Sequence, residues 1–239
     1  TLTAAATTLI AAMQARLDAE AVRASFCLPD YFTATAYAGS ENTKPNIIES
    51  IKKAIEVGAD VAEVDVTKRD DGTVVLLHAP SAGENEGLPL AEALEFVRSN
   101  SDTLKLNLDL KRFDIVEETE ALVREYDLAP RCFFTGIGQK EAPAVAMMAT
   151  IPYYINIKPS VLDRYNEEYY VSTASEVNML GAIGVNCPYP LISKKGVEIM
   201  RKNSLRVSLY TADGESMLDY ALTLLPDNIS TNNPQIKKK

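Results

Sequence analysis

The chain alternates short apolar runs with helix-like stretches along nearly its whole length, and that alternation constrains the fold more than any other feature. A helix is expected within Ala4–Ala21, where Leu9, Ile10, Met13 and Leu17 recur at helical spacing. Strand-like runs follow at Phe32–Tyr37, Val61–Val66, Leu104–Leu110, Cys132–Thr135, Tyr153–Ile157, Val185–Cys187, Leu205–Tyr210 and Asn228–Thr231. Helices are expected between them: from Pro45 to Gly58, then Leu88–Val97, Ile115–Tyr126, Ala142–Met148, within Val161–Leu180, Lys194–Lys202 and Glu215–Leu224. Asp70-Asp71-Gly72 turns the second run back as a hairpin-like extension, Val74–His78.

Eight strands alternating with helices in 239 residues suit a (β/α)₈ TIM barrel with an N-terminal helix better than an open doubly wound sheet. One domain over residues 1–239 is expected, with 1–30 as a helical extension. No Pro/Gly/Ser-rich linker and no glycine-rich nucleotide fingerprint interrupts it.

Strand Leu104–Lys111 alternates strictly. Leu104, Leu106, Leu108 and Leu110 form one face, and Lys105, Asn107, Asp109 and Lys111 the other. In a barrel the leucines pack outward on helices. The polar set faces inward, with Asp109 and Lys111 near the C-terminal end where active sites of this fold lie. Glu63 and Asp65 share a face of the second strand in the same way, so three carboxylates can converge. Such a set cannot fully ionise in a confined site without a cation, and hard oxygen ligands suit Mg²⁺ or Ca²⁺. Lys111 would add a point charge on a phosphate. The alternative is structural: solvated strand ends, or interior salt bridges with Lys111 pairing with Asp109. His78, the only histidine, could move protons or be a satisfied structural residue.

Net charge is -9, which argues against nucleic-acid and anionic-membrane partners. Cys27, Cys132 and Cys187 lack metal-ligand spacing and read as free buried thiols, with one disulfide plus a spare as the other option. No apolar run reaches the roughly 18 residues of a membrane span. Free cysteines lean towards a cytoplasmic setting and a start at Thr1 towards export after loss of a signal, so the compartment stays open, as does oligomeric state. Lys237-Lys238-Lys239 reads as a solvated end.

Taken together, Asn46, Gly58-Ala59-Asp60, Glu63-Val64-Asp65-Val66, Asp71-Gly72, His78 and Asn107-Leu108-Asp109-Leu110-Lys111 resemble the glycerophosphodiester phosphodiesterase family. Tyr210-Thr211-Ala212 resembles its W-T-V/A segment, and Ile229-Ser230-Thr231-Asn232-Asn233-Pro234 its closing I-x-T-D-x-P. Glu41-Asn42-Thr43 looks like the family's E-N-T motif but lies too far upstream; Asn46 sits at the right distance. The resemblance implies a divalent metal held by Glu63, Asp65 and Asp109, and hydrolysis of a small-molecule phosphodiester to an alcohol and a phosphomonoester. It implies His78 as one of two catalytic histidines. The other should end the first strand in an H-R-G motif, but Tyr37 stands there, followed by Ala38. Pro45 replaces the glutamate of E-N-T, Ala79 the aspartate after the second histidine, and Asn232 the aspartate of the closing motif. Asp109 replaces the more usual glutamate, as in related barrel phospholipases D of venom type.

Two readings follow. One is a metal-dependent phosphodiesterase with altered or reduced catalysis, in which Tyr37 assists His78 and proximity to a metal or Lys111 favours its phenolate. The other is a catalytically silent barrel that binds a phosphodiester, headgroup or protein partner. Tyr210 is a candidate wall for the alcohol moiety, with core packing as its alternative. Asn156 and Lys158 share the inward parity of their strand and are candidate substrate contacts.

Overall fold

A computed structural model describes residues 31–235. The helix expected within Ala4–Ala21, Cys27 and the Lys237–Lys239 tail lie outside these residues.

The second apolar run forms the long strand β2 (Val61–Lys68), and β1 (Thr33–Ala36) pairs with it in parallel. Round the wall follow β5 (Lys105–Leu110), β6 (Cys132–Gly138), β7 (Tyr153–Asn156), β8 (Gly184–Pro188), β9 (Arg206–Tyr210) and β10 (Asn228–Thr231). Each pairs in parallel with the next, and β10 pairs with β1, closing an eight-stranded barrel. β3 (Val74–Leu76) and β4 (Leu88–Pro89) extend β2 antiparallel beyond the ring.

Seven described α-helices cover the wall: α1 (Ile48–Val57), α2 (Leu90–Asn100), α3 (Val116–Glu125), α4 (Ala142–Met148), α5 (Glu167–Met179), α6 (Lys194–Lys202) and α7 (Glu215–Thr223). Their apolar stripes meet the outward residues of the strands. Leu106, Leu108 and Leu110 on β5 and Val64 and Val66 on β2 are buried in this layer with Ile51, Leu94 and Val123. α1 stops where expected: Gly58 takes φ 72, the left-handed conformation that glycine adopts without steric cost, and donates to the carbonyls of Ala54 and Ile55.

Several boundaries differ from the sequence expectation by a few residues: β2 runs on to Lys68, β6 to Gly138 and α2 to Asn100. α2 begins at Leu90, not Leu88, because Pro89 holds Leu88 extended and both residues pair with β3. Within its expected window Val161–Leu180, α5 begins at Glu167, where the Asn166 side chain caps the amides of Glu168 and Tyr169. Among the described residues no helix is long and apolar enough to cross a membrane. Cys132 and Cys187 are buried free thiols.

The inward face of the barrel is polar. Thr35, Glu63, Asn107, Thr135, Asn186, Ser208 and Ser230 are all buried there. Much of the layer is satisfied internally: Thr35 donates to Asn228 at 2.8 Å, Asn228 to Ser208 at 2.9 Å, and Thr135 to Asn107 at 2.7 Å.

Candidate metal and phosphodiester site

The carboxylates converge because two adjacent parallel strands run in register. Asp65 on β2 is the lateral partner of Asp109 on β5, and Glu63 that of Asn107 one layer deeper. Glu63, Asp65 and Asp109 offer oxygens that lie within 4.8 Å of one another. They sit at the C-terminal mouth, where the β–α loops of a barrel build its sites.

Each acid has a distinct environment. Asp65 is 2% exposed and held by Asn46: its backbone amide donates to Asn46 Oδ1 at 2.9 Å, and Asn46 Nδ2 donates to Asp65 Oδ2 at 2.7 Å. Asn46 reaches this position with φ 61, a left-handed conformation that asparagine tolerates. Burial pushes the Asp65 carboxyl up, but hydrogen bonds from Asn46 and Lys111 outweigh it and hold the group below its ordinary value. Glu63 has only a long bond, 3.4 Å, from the Ala38 amide. Burial, then Asp109 and Asp65, push its carboxyl well above the usual range. Asp109 is also raised, by burial first, against the attraction of Lys111.

Lys111 bridges Asp65 at 2.7 Å and Asp109 at 2.6 Å, so the interior salt bridge weighed from the sequence is present. Burial alone would lower its pKa, but the two carboxylates raise it. One ammonium facing three carboxylates leaves Glu63 without a cationic contact. That deficit, with an all-oxygen donor set, could be met by a metal ion.

His78 arrives through the hairpin. Leu77 donates to the Asp65 carbonyl at 3.0 Å, which turns His78 so that Nδ1 lies 3.0 Å from Asp65 Oδ1. The imidazole is otherwise 69% exposed, leaving Nε2 towards the mouth. Tyr37 directly follows β1 and has Glu63, Asp65, Asp109 and Lys111 as charged neighbours. Lys111 pulls the phenol pKa down, in the direction expected, but burial first, then Glu63 and Asp65, with Asp109, outweigh it and raise the phenol. Negative charge around the hydroxyl outnumbers positive. Tyr210 ends β9, and its phenol is pushed up to about 12 by burial first, with Cys187, Asp109 and Tyr37 adding.

Asn156 faces inward on β7 and accepts from Asn186 Nδ2 at 3.1 Å. Lys158 lies beyond the strand end and is exposed, and no contact joins it to the carboxylates. Thr135 and Gly136 went unnoticed in the sequence. Thr135 donates to Asp109 Oδ1 at 3.3 Å. Gly136, at φ 82, clears space for that carboxylate, since a Cβ there would lie 2.3 Å from Asp109 Oδ1. The signal was a glycine inside an apolar strand run, which marks a bulge or a close approach.

No family model matches the chain, and no curated protein matches its sequence. Solved structures do match its fold. A glycerophosphodiester phosphodiesterase from Parabacteroides distasonis superposes with TM-score 0.67 at 17% identity, covering 87% of this chain and 96% of that one. One from Thermotoga maritima gives 0.64 at 18% identity, covering 87% and 97%. An Oleispira antarctica phosphodiesterase, solved with its product sn-glycerol-3-phosphate, gives 0.64 at 19%, covering 88% and 96%. The fold of this chain is therefore the (β/α)₈ barrel of these glycerophosphodiester phosphodiesterases.

Proposed function

We propose that the chain hydrolyses a phosphodiester, of the glycerophosphodiester class or a relative of it, to an alcohol and a phosphomonoester with a divalent cation. The carrying observation is the cluster of Glu63, Asp65 and Asp109 at the mouth, with ligand oxygens within 4.8 Å. The fold shared with solved phosphodiesterases and the product bound in the Oleispira antarctica protein support the substrate class.

Glu63, Asp65 and Asp109 would hold Mg²⁺ or Ca²⁺, which when bound supplies positive charge against the phosphate oxygens. Lys111 turns from the carboxylates to a non-bridging phosphate oxygen and contributes a second positive charge there. Water adds to phosphorus and the bond from phosphorus to the alcohol oxygen breaks. His78, oriented through Nδ1 by Asp65, gives the departing oxygen its proton from Nε2. Tyr37 sits where a second proton-transfer group is needed, but its raised pKa makes the phenol a hydrogen-bond donor, not a base, near neutral pH. Tyr210 walls the alcohol side, and Asn156 and Lys158 line the far rim. Tyr37, Ala38 and Ala79, standing where the resemblance calls for histidine, arginine and aspartate, support the second reading, a barrel that binds a phosphodiester without turning it over.

The test is turnover of glycerophosphodiesters by the chain and its Tyr37→His variant, with Mg²⁺, with Ca²⁺ and with chelator. Metal-dependent turnover by the chain, rising about 10²–10⁴-fold in the variant, is expected. Turnover in the variant alone selects the silent-binder reading for the natural chain. No metal-dependent turnover by either protein sinks the catalytic reading.

A further inference from the structure

The largest exposed apolar side chains are not scattered evenly. Met147 and Met179 stand singly near the C-terminal ends of their helices, away from the mouth, and isolated cases need no explanation. Val161, Leu162 and Tyr165 instead fall in one loop, exposed by 79%, 88% and 70%. That loop leaves the C-terminal end of β7 and so lies on the rim of the candidate site.

The loop is held in shape. Ser160 donates to Asp163 Oδ2 at 2.6 Å, and the Arg164 amide donates to the Ser160 carbonyl at 3.0 Å. Tyr170 donates its hydroxyl to the Arg164 carbonyl at 2.9 Å. The Arg164 guanidinium covers the Tyr165 ring at 5.1 Å and reaches the Tyr220 hydroxyl on α7. Met217, half-exposed in the first turn of α7, precedes Tyr220 by three residues and shares its helix face, so that helix start adds to the same rim. These bonds fix the turn, and Val161 and Leu162 stay outward.

We propose that Val161, Leu162, Tyr165 and Met217 seat the barrel mouth on a zwitterionic phospholipid surface, so that the phosphodiester it takes up carries an acyl chain. The second half rests on the phosphodiesterase reading; the first does not. A phospholipid places its phosphodiester directly beside an apolar layer, and this rim places apolar side chains at the same end of the barrel as the carboxylates. Aliphatic side chains enter the layer while Tyr165 and Arg164 suit the headgroup level. The net charge of -9 selects against anionic lipid. A second copy of the chain on this rim would cover the mouth that substrate must reach.

The full chain carries no tryptophan, so Leu162→Trp is a clean reporter. Its emission is expected to shift to the blue with phosphatidylcholine vesicles in chelator, and less with phosphatidylserine vesicles. A Val161→Ser/Leu162→Asp variant is expected to float with phosphatidylcholine vesicles at least about tenfold less than the natural chain, with an unchanged melting temperature. On lysophosphatidylcholine micelles its kcat/KM falls by a similar factor, while turnover of soluble glycerophosphocholine stays the same. If neither protein turns over either substrate but flotation still depends on the rim, the surface stands and the phosphodiesterase reading falls. Absence of an emission shift, or equal flotation by chain and variant, overturns the surface. So does a dimer of the natural chain that the variant converts to monomer in sedimentation.

Discussion

The two halves of the barrel wall solve the same problem of a polar interior in opposite ways. On β6 to β10 the inward groups at mid-barrel include neutral side chains, Asn156, Asn186, Ser208, Asn228 and Ser230, with Asn186 bonded to Asn156 and Asn228 to Ser208. On β2, β5 and the hairpin they are ionisable: Glu63, Asp65, Asp109, Lys111 and His78. A buried neutral pair that is fully bonded stabilises modestly, whereas buried like charges destabilise until something cationic arrives. The charged half is therefore the costlier arrangement of the two.

Removal of a single group should read this difference directly. Asp65→Ala takes a partner from Lys111, from Asn46 and from His78 at once. Stranding a buried ammonium and an amide is expected to cost about 3 kcal/mol, at the lower end for a broken buried pair because Asp109 still holds Lys111. Ser208→Ala on the neutral half leaves only the Asn228 amide short of a partner and should cost about 1 kcal/mol. Chemical denaturation of both variants in chelator makes the comparison, and equal losses would mean that the two halves do not differ as argued.

Gly136→Ala tests the seam between the halves. The new Cβ would meet Asp109 Oδ1 and, at 2.5 Å, the Leu110 carbonyl, from a backbone at φ 82. A loss of about 2 kcal/mol is expected, together with weaker metal binding because Asp109 is the atom in the way. Calorimetric titration with Mg²⁺ and Ca²⁺ separates the two effects. Unaltered affinity would mean that Asp109 is not held where the metal needs it.

How much of this could be read from the sequence follows the range of the interactions. Helical and strand periods are local, so α4, α6 and β10 fall at their expected bounds. The shared face of Glu63 and Asp65 is equally local. The lateral pairing of Asp65 with Asp109 depends on strand register across 44 residues, which only the closed barrel fixes. Asn46 resembled a family position, yet its double bond to Asp65 comes from a left-handed turn that no local pattern announces. The net effect on the Tyr37 phenol was not legible: Glu63, Asp65, Asp109 and Lys111 could all be read as neighbours, but burial, the largest cause, could not. Leu88 was assigned to a helix although Pro89 behind it disfavours that conformation.

The smallest expected effect has the opposite sign. Glu63→Gln keeps the shape of the side chain and removes a charge that burial, Asp109 and Asp65 all oppose. In chelator the variant should be more stable than the natural chain by about 1 kcal/mol at neutral pH, while it loses metal affinity. The pH dependence fixes the cause. Glu63 keeps its proton in the native state above the ordinary value of 4.5, so the native state binds more protons than the unfolded state there. Its stabilising contribution is fully present below 4.5 and is lost as pH rises through the native pKa. Asp65 runs the other way: its contribution is present above 3.8 and is lost as pH falls through its depressed native value. Glu63→Gln should thus flatten the decline on the alkaline side and leave the acid limb in place. A variant that melts lower than the natural chain in chelator at neutral pH would show that Glu63 is satisfied as it stands, and that the charged half carries no unmet demand for a cation.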